Sequence, residues 1–258
     1  RKAARAIEAR PAPFVTVIER PDETFVPVGT PWSRAGFGGP FYVRPPDGTE
    51  LPTCSLVFVQ SADRNTVAEN PASLGGGVTD YHVVYEGLSR VAADAVLPGA
   101  GTVRGGKTGF SLWDPEMVEL RRTWGLPRHP TQIVTTMRGV DLEQGLLFNT
   151  PDLNVVILTG SEGAMAMQGS LEARPWIRVV ALQHRRDLAA AFRVLRTAGI
   201  RRISCIGGRE LAAYLLALNL VDDVYLTTSA QKGGTPHTPL PVDASDGDIV
   251  LKEHGTGE

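Results

Sequence analysis

Cysteine and histidine are scarce in this chain, and their scarcity excludes disulfide scaffolds and zinc sites. The 258 residues include two cysteines and five histidines. Two isolated cysteines build neither a disulfide framework nor a zinc site. Cys54 and Cys205 lie in apolar, strand-like runs, which predicts buried structural thiols in a reducing cytoplasm. No two histidines have the spacing of metal ligands, so we predict no metal site. The histidines are His82, His129, His184, His237 and His254.

A strong net charge and a long hydrophobic run are also absent. The formal net charge of −2 gives no general attraction for nucleic acid or for an anionic membrane. No apolar run approaches the roughly 18 residues that a membrane span needs. The first ten residues lack the apolar core of a signal peptide. We therefore expect a cytoplasmic protein with a small-molecule partner.

Proline and glycine are concentrated near the start of the chain. Residues 1–50 predict a helical stub, one short strand at 14–18, and then an irregular arm that wraps the domain. The main domain is predicted over residues 51–258. The prolines of the arm include Pro11, Pro13, Pro21, Pro27, Pro31, Pro40, Pro45 and Pro46.

Apolar, strand-like runs alternate with amphipathic segments across the main domain. This alternation predicts an α/β fold with a mainly parallel central sheet and helices on both faces. Helix starts are predicted with caps at Thr79 or Asp80, at Asp114 before Pro115, and at Asp187. A less certain helix is predicted after Ser161. Strands are predicted at 54–60, 95–97, 132–136, 155–159, 177–182, 201–206, 224–228 and 248–253.

A paired-glycine turn lies at the centre of residues 201–228. A short apolar run ends at Gly207 and Gly208, a leucine-rich helical segment follows, and a second strand-like run comes next. Backbone N–H groups at such a turn, at the positive end of a helix, suit a phosphate. The alternative is that the two glycines are present only because the turn needs positive φ.

A second glycine-rich segment, residues 101–108, matches the phosphate-loop pattern G-x-x-x-x-G-K-T. In a nucleotide hydrolase, Lys107 would reach the outer phosphates and Thr108 would bind Mg²⁺. Gly109 weakens the helix that this motif requires, and Asp114-Pro115 starts a new one. We therefore favour a mobile loop on the substrate side.

Three motifs in order resemble the reductase domain of the riboflavin-biosynthesis deaminase–reductase family. In chain order they are Ser61-Ala62-Asp63-Arg64, Gly99-Ala100-Gly101-Thr102-Val103 after a strand, and Ile206-Gly207-Gly208-Arg209-Glu210-Leu211. The paired-glycine segment is also similar to that of dihydrofolate reductase, which shares the fold. The resemblance implies a three-layer, dihydrofolate-reductase-like α/β fold, NADPH as hydride donor, and a homodimer.

The resemblance also assigns cofactor contacts. Gly207 and Gly208 are expected to face the pyrophosphate, and Thr102 to contact the cofactor. Thr136 and Arg138 are placed where such folds meet the 2′-phosphate, and an arginine suits a dianion. The full expected set is Gly99, Gly101, Thr102, Thr136, Arg138, Gly207, Gly208, Arg209, Glu210 and Leu211.

The substrate side departs from the family pattern. Ile206 stands where ribosylaminopyrimidine reductases have an acid, and residues 104–110 replace an Asp-Asp-Pro segment. Arg64 stands where glycine is usual. The zinc-deaminase motif, His-x-Glu with Pro-Cys-x-x-Cys, does not occur. The chain therefore resembles a stand-alone reductase domain whose substrate need not be the riboflavin precursor.

The predicted function is NADPH-dependent hydride transfer to a small heterocyclic or imine substrate of the ribosylaminopyrimidine type. Asp63 is the candidate for proton delivery or for anchoring a substrate N–H pair. Phe110, with Trp113, is the candidate for stacking, although such aromatic residues also close cores. An NADPH sensor without turnover and the nucleotide hydrolase remain alternatives. The expected substrate contacts are Ser61, Arg104, Lys107 and Phe110, the two cations holding an anionic group.

Overall fold

A seven-stranded sheet forms the centre of the computed structural model. The model describes residues 1–8, 14–19, 24–45, 50–99, 102–103, 106, 109–184, 187–242 and 250–254. The sheet order is β10-β4-β9-β5-β6-β7-β8, and every pair in it is parallel. The predicted parallel sheet is confirmed. Its strands are β4 (Thr53–Gln60), β5 (Ala95–Pro98), β6 (Thr131–Thr136), β7 (Val155–Gly160), β8 (Ile177–Leu182), β9 (Arg202–Ile206) and β10 (Asp223–Thr228).

Helices follow most strands of the sheet. A π-helix (Thr79–Leu88) continues into α3 (Ser89–Val91). The others are α4 (Pro115–Thr123), α5 (Ser161–Leu171), α6 (Leu188–Thr197) and α7 (Arg209–Ala217), with 3₁₀ turns at Pro71–Leu74 and Leu146–Phe148. The predicted helix after Ser161 is thus confirmed. Among the described residues, no helix is long and apolar enough to cross a membrane.

One of the three predicted helix caps is confirmed. Asp114 Oδ1 accepts hydrogen bonds from the backbone N of Glu116 (2.9 Å) and of Met117 (3.1 Å). The cap at Thr79 or Asp80 is wrong, since Val78 stands at that position and no side chain caps the helix. Asp187 precedes α6, but its carboxylate accepts from the backbone N of His184 (2.7 Å) instead.

Apolar clusters cover both faces of the sheet. On one face α6 and α7 bury residues such as Phe192 and Leu215 against β4, β5 and β9. On the other face, Val84 of the π-helix, Phe110 and Met167 of α5 pack together. Burial on both faces explains why the strands read as nearly continuous apolar runs.

The N-terminal arm is more regular than its composition predicts. Helix α1 (Lys2–Glu8) and β1 (Phe14–Glu19) agree with the predicted stub and strand. The prediction of an irregular remainder is wrong, because β2 (Val26–Val28), α2 (Pro31–Phe37) and β3 (Phe41–Val43) follow. Thr30 and Ser33 form a reciprocal capping box that starts α2.

The arm contacts the main domain through strand pairing, apolar packing and ion pairs such as that of Arg44 with Asp223. Strand β1 pairs antiparallel with β11 (Val250–His254), away from the central sheet. Residues of β2, α2 and β3 join a third apolar cluster with the π-helix and α4. The predicted boundary between the arm and the main domain at residue 50 stays a prediction.

Candidate active site

The central sheet opens at its carboxyl edge between β4 and β9. These strands pair from Thr53 opposite Arg202 to Leu56 opposite Cys205. Strand β4 then remains paired with β10 as far as Gln60. Residues 57–60 thus have β10 on one side and no ladder to β9 on the other. In parallel sheets, ligands bind beyond the carboxyl ends of the strands, where neighbouring strands diverge.

Three glycines form a corner beside this opening, with backbone packed directly on backbone. A Cβ on Gly99 would lie 3.1 Å from the backbone N of Gly208 and 3.5 Å from the Cα of Gly207. A Cβ on Gly207 would lie 2.6 Å from Leu211 Cδ2. A Cβ on Gly208 would meet no atom of the described residues within 4 Å, and Gly208 is exposed. We call Gly99, Gly207 and Gly208 the glycine corner.

Helix α7 begins at the glycine corner. Its N-cap is Gly208, and no side chain caps its first turn. Uncapped N–H groups at a helix N-terminus are a ready site for an anion. Gly207 has no positive φ, so the alternative that the turn needs positive φ does not account for the pair. Arg209 donates from Nε to the backbone O of Pro239 (3.0 Å), Leu211 packs into the core beneath, and Glu210 is exposed.

The second glycine-rich segment is described in part. Thr102 is exposed, and its backbone N donates to the backbone O of Gly99 (3.1 Å). The expected contacts at Gly101, Arg104 and Lys107, and Thr108 of the phosphate-loop pattern, lie outside the described residues. Gly109 and Phe110 are not helical, whereas a phosphate loop continues directly into a helix.

The ends of β6 and β7 form a second polar corner. Arg138 is exposed after β6, and Thr136 Oγ1 donates to the backbone O of Gly139 (2.8 Å). Helix α5 starts beside this turn with Gly160 as its N-cap and no side-chain cap. Gly163 lets it approach, because a Cβ there would lie 2.5 Å from the backbone N of Gly139.

Ser61 and Asp63 join the loop after β4 to the loop after β10. Ser61 Oγ donates to Asp63 Oδ1 (2.5 Å), and the backbone N of Gly233 donates to the same oxygen (3.2 Å). Ser61 itself is fully buried, whereas Asp63 is exposed. The hydrogen bond from Ser61 holds the pKa of Asp63 below its ordinary value. An ionised carboxylate suits the anchoring of an N–H group better than the delivery of a proton.

The Arg64 departure from the family pattern has a backbone consequence. Arg64 has φ of 66°, in the left-handed region. Only glycine enters this region without a steric cost, which is of order 1–2 kcal/mol for other residues. This explains why glycine is usual there.

The two aromatic candidates are engaged within the protein. Phe110 is 2% exposed and lies in the apolar cluster that also contains Val84 and Met167. Its backbone N donates to Gln132 Oε1 (2.9 Å), and its backbone O accepts from Gln132 Nε2 (2.9 Å). Its burial argues against substrate stacking. Trp113 lies between two cations, with Lys2 Nζ at 5.1 Å and the Arg128 guanidinium at 5.8 Å from its ring centre.

Sequence reasoning overlooked the environment of one acid at this edge. Asp80 lies in the first turn of the π-helix, against β4, with its Oδ1 shielded from solvent and without a hydrogen-bond partner. The signal was available in the adjacent Gly75-Gly76-Gly77, since three successive glycines beside a strand end favour a close backbone approach.

A family model described as the RibD C-terminal domain matches residues 55–246. No protein with a curated description matches the chain. The match covers nearly all of the central sheet together with the glycine corner, and the arm of residues 1–50 lies outside it.

Solved structures share the fold. A pyrimidine reductase-like protein from Corynebacterium diphtheriae is 21% identical over 77% of this chain and 83% of its own, with a TM-score of 0.58. The riboflavin biosynthesis reductase Rib7 of Saccharomyces cerevisiae is 19% identical over 76% of this chain and 82% of its own, with a TM-score of 0.52. RibD from Acinetobacter baumannii is 16% identical over 74% of this chain, which spans 49% of that protein, with a TM-score of 0.52. These likenesses confirm the dihydrofolate-reductase-like α/β fold.

Proposed function

Because this chain belongs to the family of RibD C-terminal domains, we propose that it is an NADPH-dependent reductase of a small heterocyclic or imine substrate. Two proteins that share its fold support the proposal, because one is named as a pyrimidine reductase-like protein and the other as a riboflavin biosynthesis reductase. The proposal for this chain depends on its own residues.

The observation that carries the proposal is the bare glycine corner. Gly99 leaves no room for a side chain between β5 and β9, and Gly208 presents an open backbone face at an uncapped helix start. A pyrophosphate group needs this combination of close backbone approach and free N–H donors. The first turn of α7, at Arg209, Glu210 and Leu211, would supply the donors.

The 2′-phosphate that distinguishes NADPH from NADH would lie at the second polar corner. Arg138 supplies a positive charge, and the uncapped start of α5 supplies N–H groups. Thr136 holds the turn that presents Arg138 through its bond to Gly139. We assign cofactor selectivity to this corner.

The opening between β4 and β9 would bring the substrate to the cofactor. When bound, the reduced nicotinamide supplies the hydride. Ser61 and Asp63 fix the loop that borders this opening, with the Asp63 carboxylate available to a substrate N–H. Arg104 and Lys107 stay candidates for an anionic substrate group. The expected homodimer is also part of the proposal, and analytical ultracentrifugation measures it directly.

Cofactor oxidation followed at the absorbance of the reduced nicotinamide tests the function. The acceptor panel comprises pyrimidine, pterin and cyclic imine compounds, each with NADPH and with NADH. We expect oxidation of NADPH by at least one class, and a weaker reaction with NADH.

Two other results have defined meanings. Tight NADPH binding without oxidation by any acceptor would replace the reductase with a sensor. Magnesium-dependent ATP hydrolysis without NADPH binding would replace it with the nucleotide hydrolase that residues 101–108 resemble.

A further inference from the structure

Asp80 is seated tightly at the carboxyl edge of the sheet. Its backbone N donates to the backbone O of Gly76 (3.1 Å). A Cβ on Gly76 would lie 2.6 Å from Asp80 Cβ and 2.9 Å from Val59 Cγ2. Only glycine at position 76 therefore allows the acid to pack against the end of β4.

The carboxyl group of Asp80 is poorly satisfied. Oδ1 is shielded from solvent and has no hydrogen-bond partner among the residues that the structure describes, although the residue as a whole stays partly accessible. Burial raises the pKa of Asp80, and the Thr227 side chain offsets part of that rise. A buried polar atom without a partner is costly, and it is a frequent feature of functional sites.

Asp80 borders the opening described above. A Cβ added at Gly76 would meet both Asp80 Cβ (2.6 Å) and Val59 Cγ2 (2.9 Å), so Val59 lies near the acid. Val59 belongs to the half of β4 that has no ladder to β9. Thr227 lies directly opposite Val59 on β10. The other side of the opening is the glycine corner, where β9 ends. The acid and the proposed cofactor site therefore flank one crevice, and a substrate between them could meet both.

We propose that Asp80 is the catalytic acid of this site, and that the substrate carries a C=N bond whose nitrogen hydrogen-bonds to it. This inference rests on the proposed function and specifies its substrate class. The Asp80 carboxyl gives its proton to the nitrogen while the carbon receives the hydride of NADPH. The C=N π bond breaks, one C–H and one N–H bond form, and NADP⁺ and the Asp80 carboxylate remain. The carboxylate then regains a proton from water.

The charged neighbours of Asp80 are engaged elsewhere. On its own helix, His82 Nδ1 lies 3.2 Å from the Glu86 carboxylate, and Lys2 Nζ of α1 lies 3.3 Å from the same carboxylate. In the loop after β4, Asp63 bonds to Ser61. The other titratable groups on the packed elements are Tyr81 and Tyr85 on the helix, Cys54 on β4, Arg64 and Glu69 after β4, Asp223 and Tyr225 on β10, and Lys232 and His237 after β10. Burial and Thr227 account for the pKa shift, to which none of these charges contributes.

The experiment compares wild type with Asp80→Asn, and uses Asp152→Asn as a matched control on an exposed aspartate. The substrate probe is the cyclic imine 2-methyl-1-pyrroline with NADPH. General acid catalysis contributes about 10²–10⁴-fold, so Asp80→Asn should lower kcat by about 100-fold or more. The activity of wild type should fall as pH rises through the pKa of Asp80, and Asp80→Asn should lose this alkaline limb.

Two readouts do not depend on turnover. Fluorescence titration should give the same NADPH dissociation constant for Asp80→Asn as for wild type. Carbon-13 NMR of the aspartate carboxyl groups should contain one signal that is absent from Asp80→Asn and titrates above the ordinary value of about 3.9. Thermal unfolding of Asp80→Asn checks that the variant is folded.

Several outcomes overturn the inference. Wild-type activity in Asp80→Asn, an ordinary titration of its carboxyl signal, or NADPH binding without reduction of the imine would each do so and leave the cofactor assignment standing. Failure of wild type to bind NADPH would overturn the proposed function, and this inference with it.

Discussion

The two glycines ahead of α7 have different reasons to lack a side chain. Gly207 is enclosed, since an added Cβ would lie 2.6 Å from Leu211 Cδ2 and 3.4 Å from the backbone N of Gly99. Gly208 is open and has φ of −70° and ψ of 175°, a conformation that any residue adopts. Neither packing nor backbone geometry requires glycine at position 208, and the proposed phosphate site gives a reason for it.

Gly208→Ala should therefore separate binding from stability. The folded protein has room for the methyl group. The loss of chain entropy in the unfolded state, about 0.4–1 kcal/mol, is offset by the poorer fit of alanine to the N-cap position, so stability should change little. The same methyl group would occupy the phosphate site. We expect NADPH affinity, measured by fluorescence titration, to fall by about tenfold or more, or about 1.4 kcal/mol.

Gly169→Ala is the matched control for that variant. Gly169 lies in α5, and a Cβ there would also meet nothing within 4 Å. Alanine should stabilise this helix by about 0.5–1 kcal/mol and leave NADPH binding unchanged. Unchanged affinity in Gly208→Ala would remove the glycine corner from the cofactor site.

Arg138→Ala should weaken NADPH binding and leave NADH binding nearly unchanged. A hydrogen bond to a charged group contributes about 1.5–3 kcal/mol, and only NADPH carries the 2′-phosphate. Isothermal titration of both cofactors measures the difference, with the exposed Arg178→Ala on β8 as control. Equal losses for both cofactors would refute the assignment of Arg138.

At the scale of elements, the loops after β4 and β10 are fastened by one buried serine. Ser61 Oγ donates to Asp63 Oδ1, accepts from the backbone N of Asn65 (3.1 Å), and lies 3.0 Å from the backbone O of Gly233. Both loops border the crevice, so their connection fixes its width.

Asp63→Asn should remove a pH-dependent part of stability. The pKa of Asp63 is lower in the folded protein than its ordinary value. Its contribution is therefore present above about pH 4 and is lost as the pH falls through the folded pKa. Urea unfolding should show a deficit in the variant at neutral pH that disappears in acid.

Ser61→Ala should reduce the same pH dependence, because it removes the main hydrogen-bond donor to Asp63. A deficit in Asp63→Asn that persists unchanged in acid would mean that another contact is responsible.

Periodicity predicted the elements of the main domain well and those of the arm poorly. The bounds of β8 agree with the predicted 177–182, since a six-residue run gives little choice. In the arm, proline was taken as a sign of irregularity. Pro31 is instead the first residue of α2, behind the Thr30 cap, a position where proline is favoured.

The site was predictable where backbone chemistry determines it and not where tertiary contacts do. Paired glycines before a helix indicate a phosphate corner from sequence alone. Asp80 was interpreted as a helix cap, because aspartate before a helix usually is one. Its actual surroundings come from Val59 and Thr227, which lie far from it in sequence.

At the scale of the whole molecule, three crevice features come from widely separated parts of the chain. Asp80 follows β4, the glycine corner joins the ends of β5 and β9, and the second polar corner joins the end of β6 to the start of α5. The parallel sheet brings them to one edge because all seven strands point the same way. Cofactor binding should therefore tie together elements that are distant in sequence, and should raise the stability of the whole domain.

Thermal unfolding with NADPH, NADH or Mg-ATP tests the central claim most directly. A ligand present at about 100 times its dissociation constant stabilises the folded state by about 2.7 kcal/mol. The account predicts a clear rise in Tm with NADPH, a smaller one with NADH at the same concentration, and none with Mg-ATP. A rise with Mg-ATP alone, or no rise with NADPH at any concentration, would contradict it.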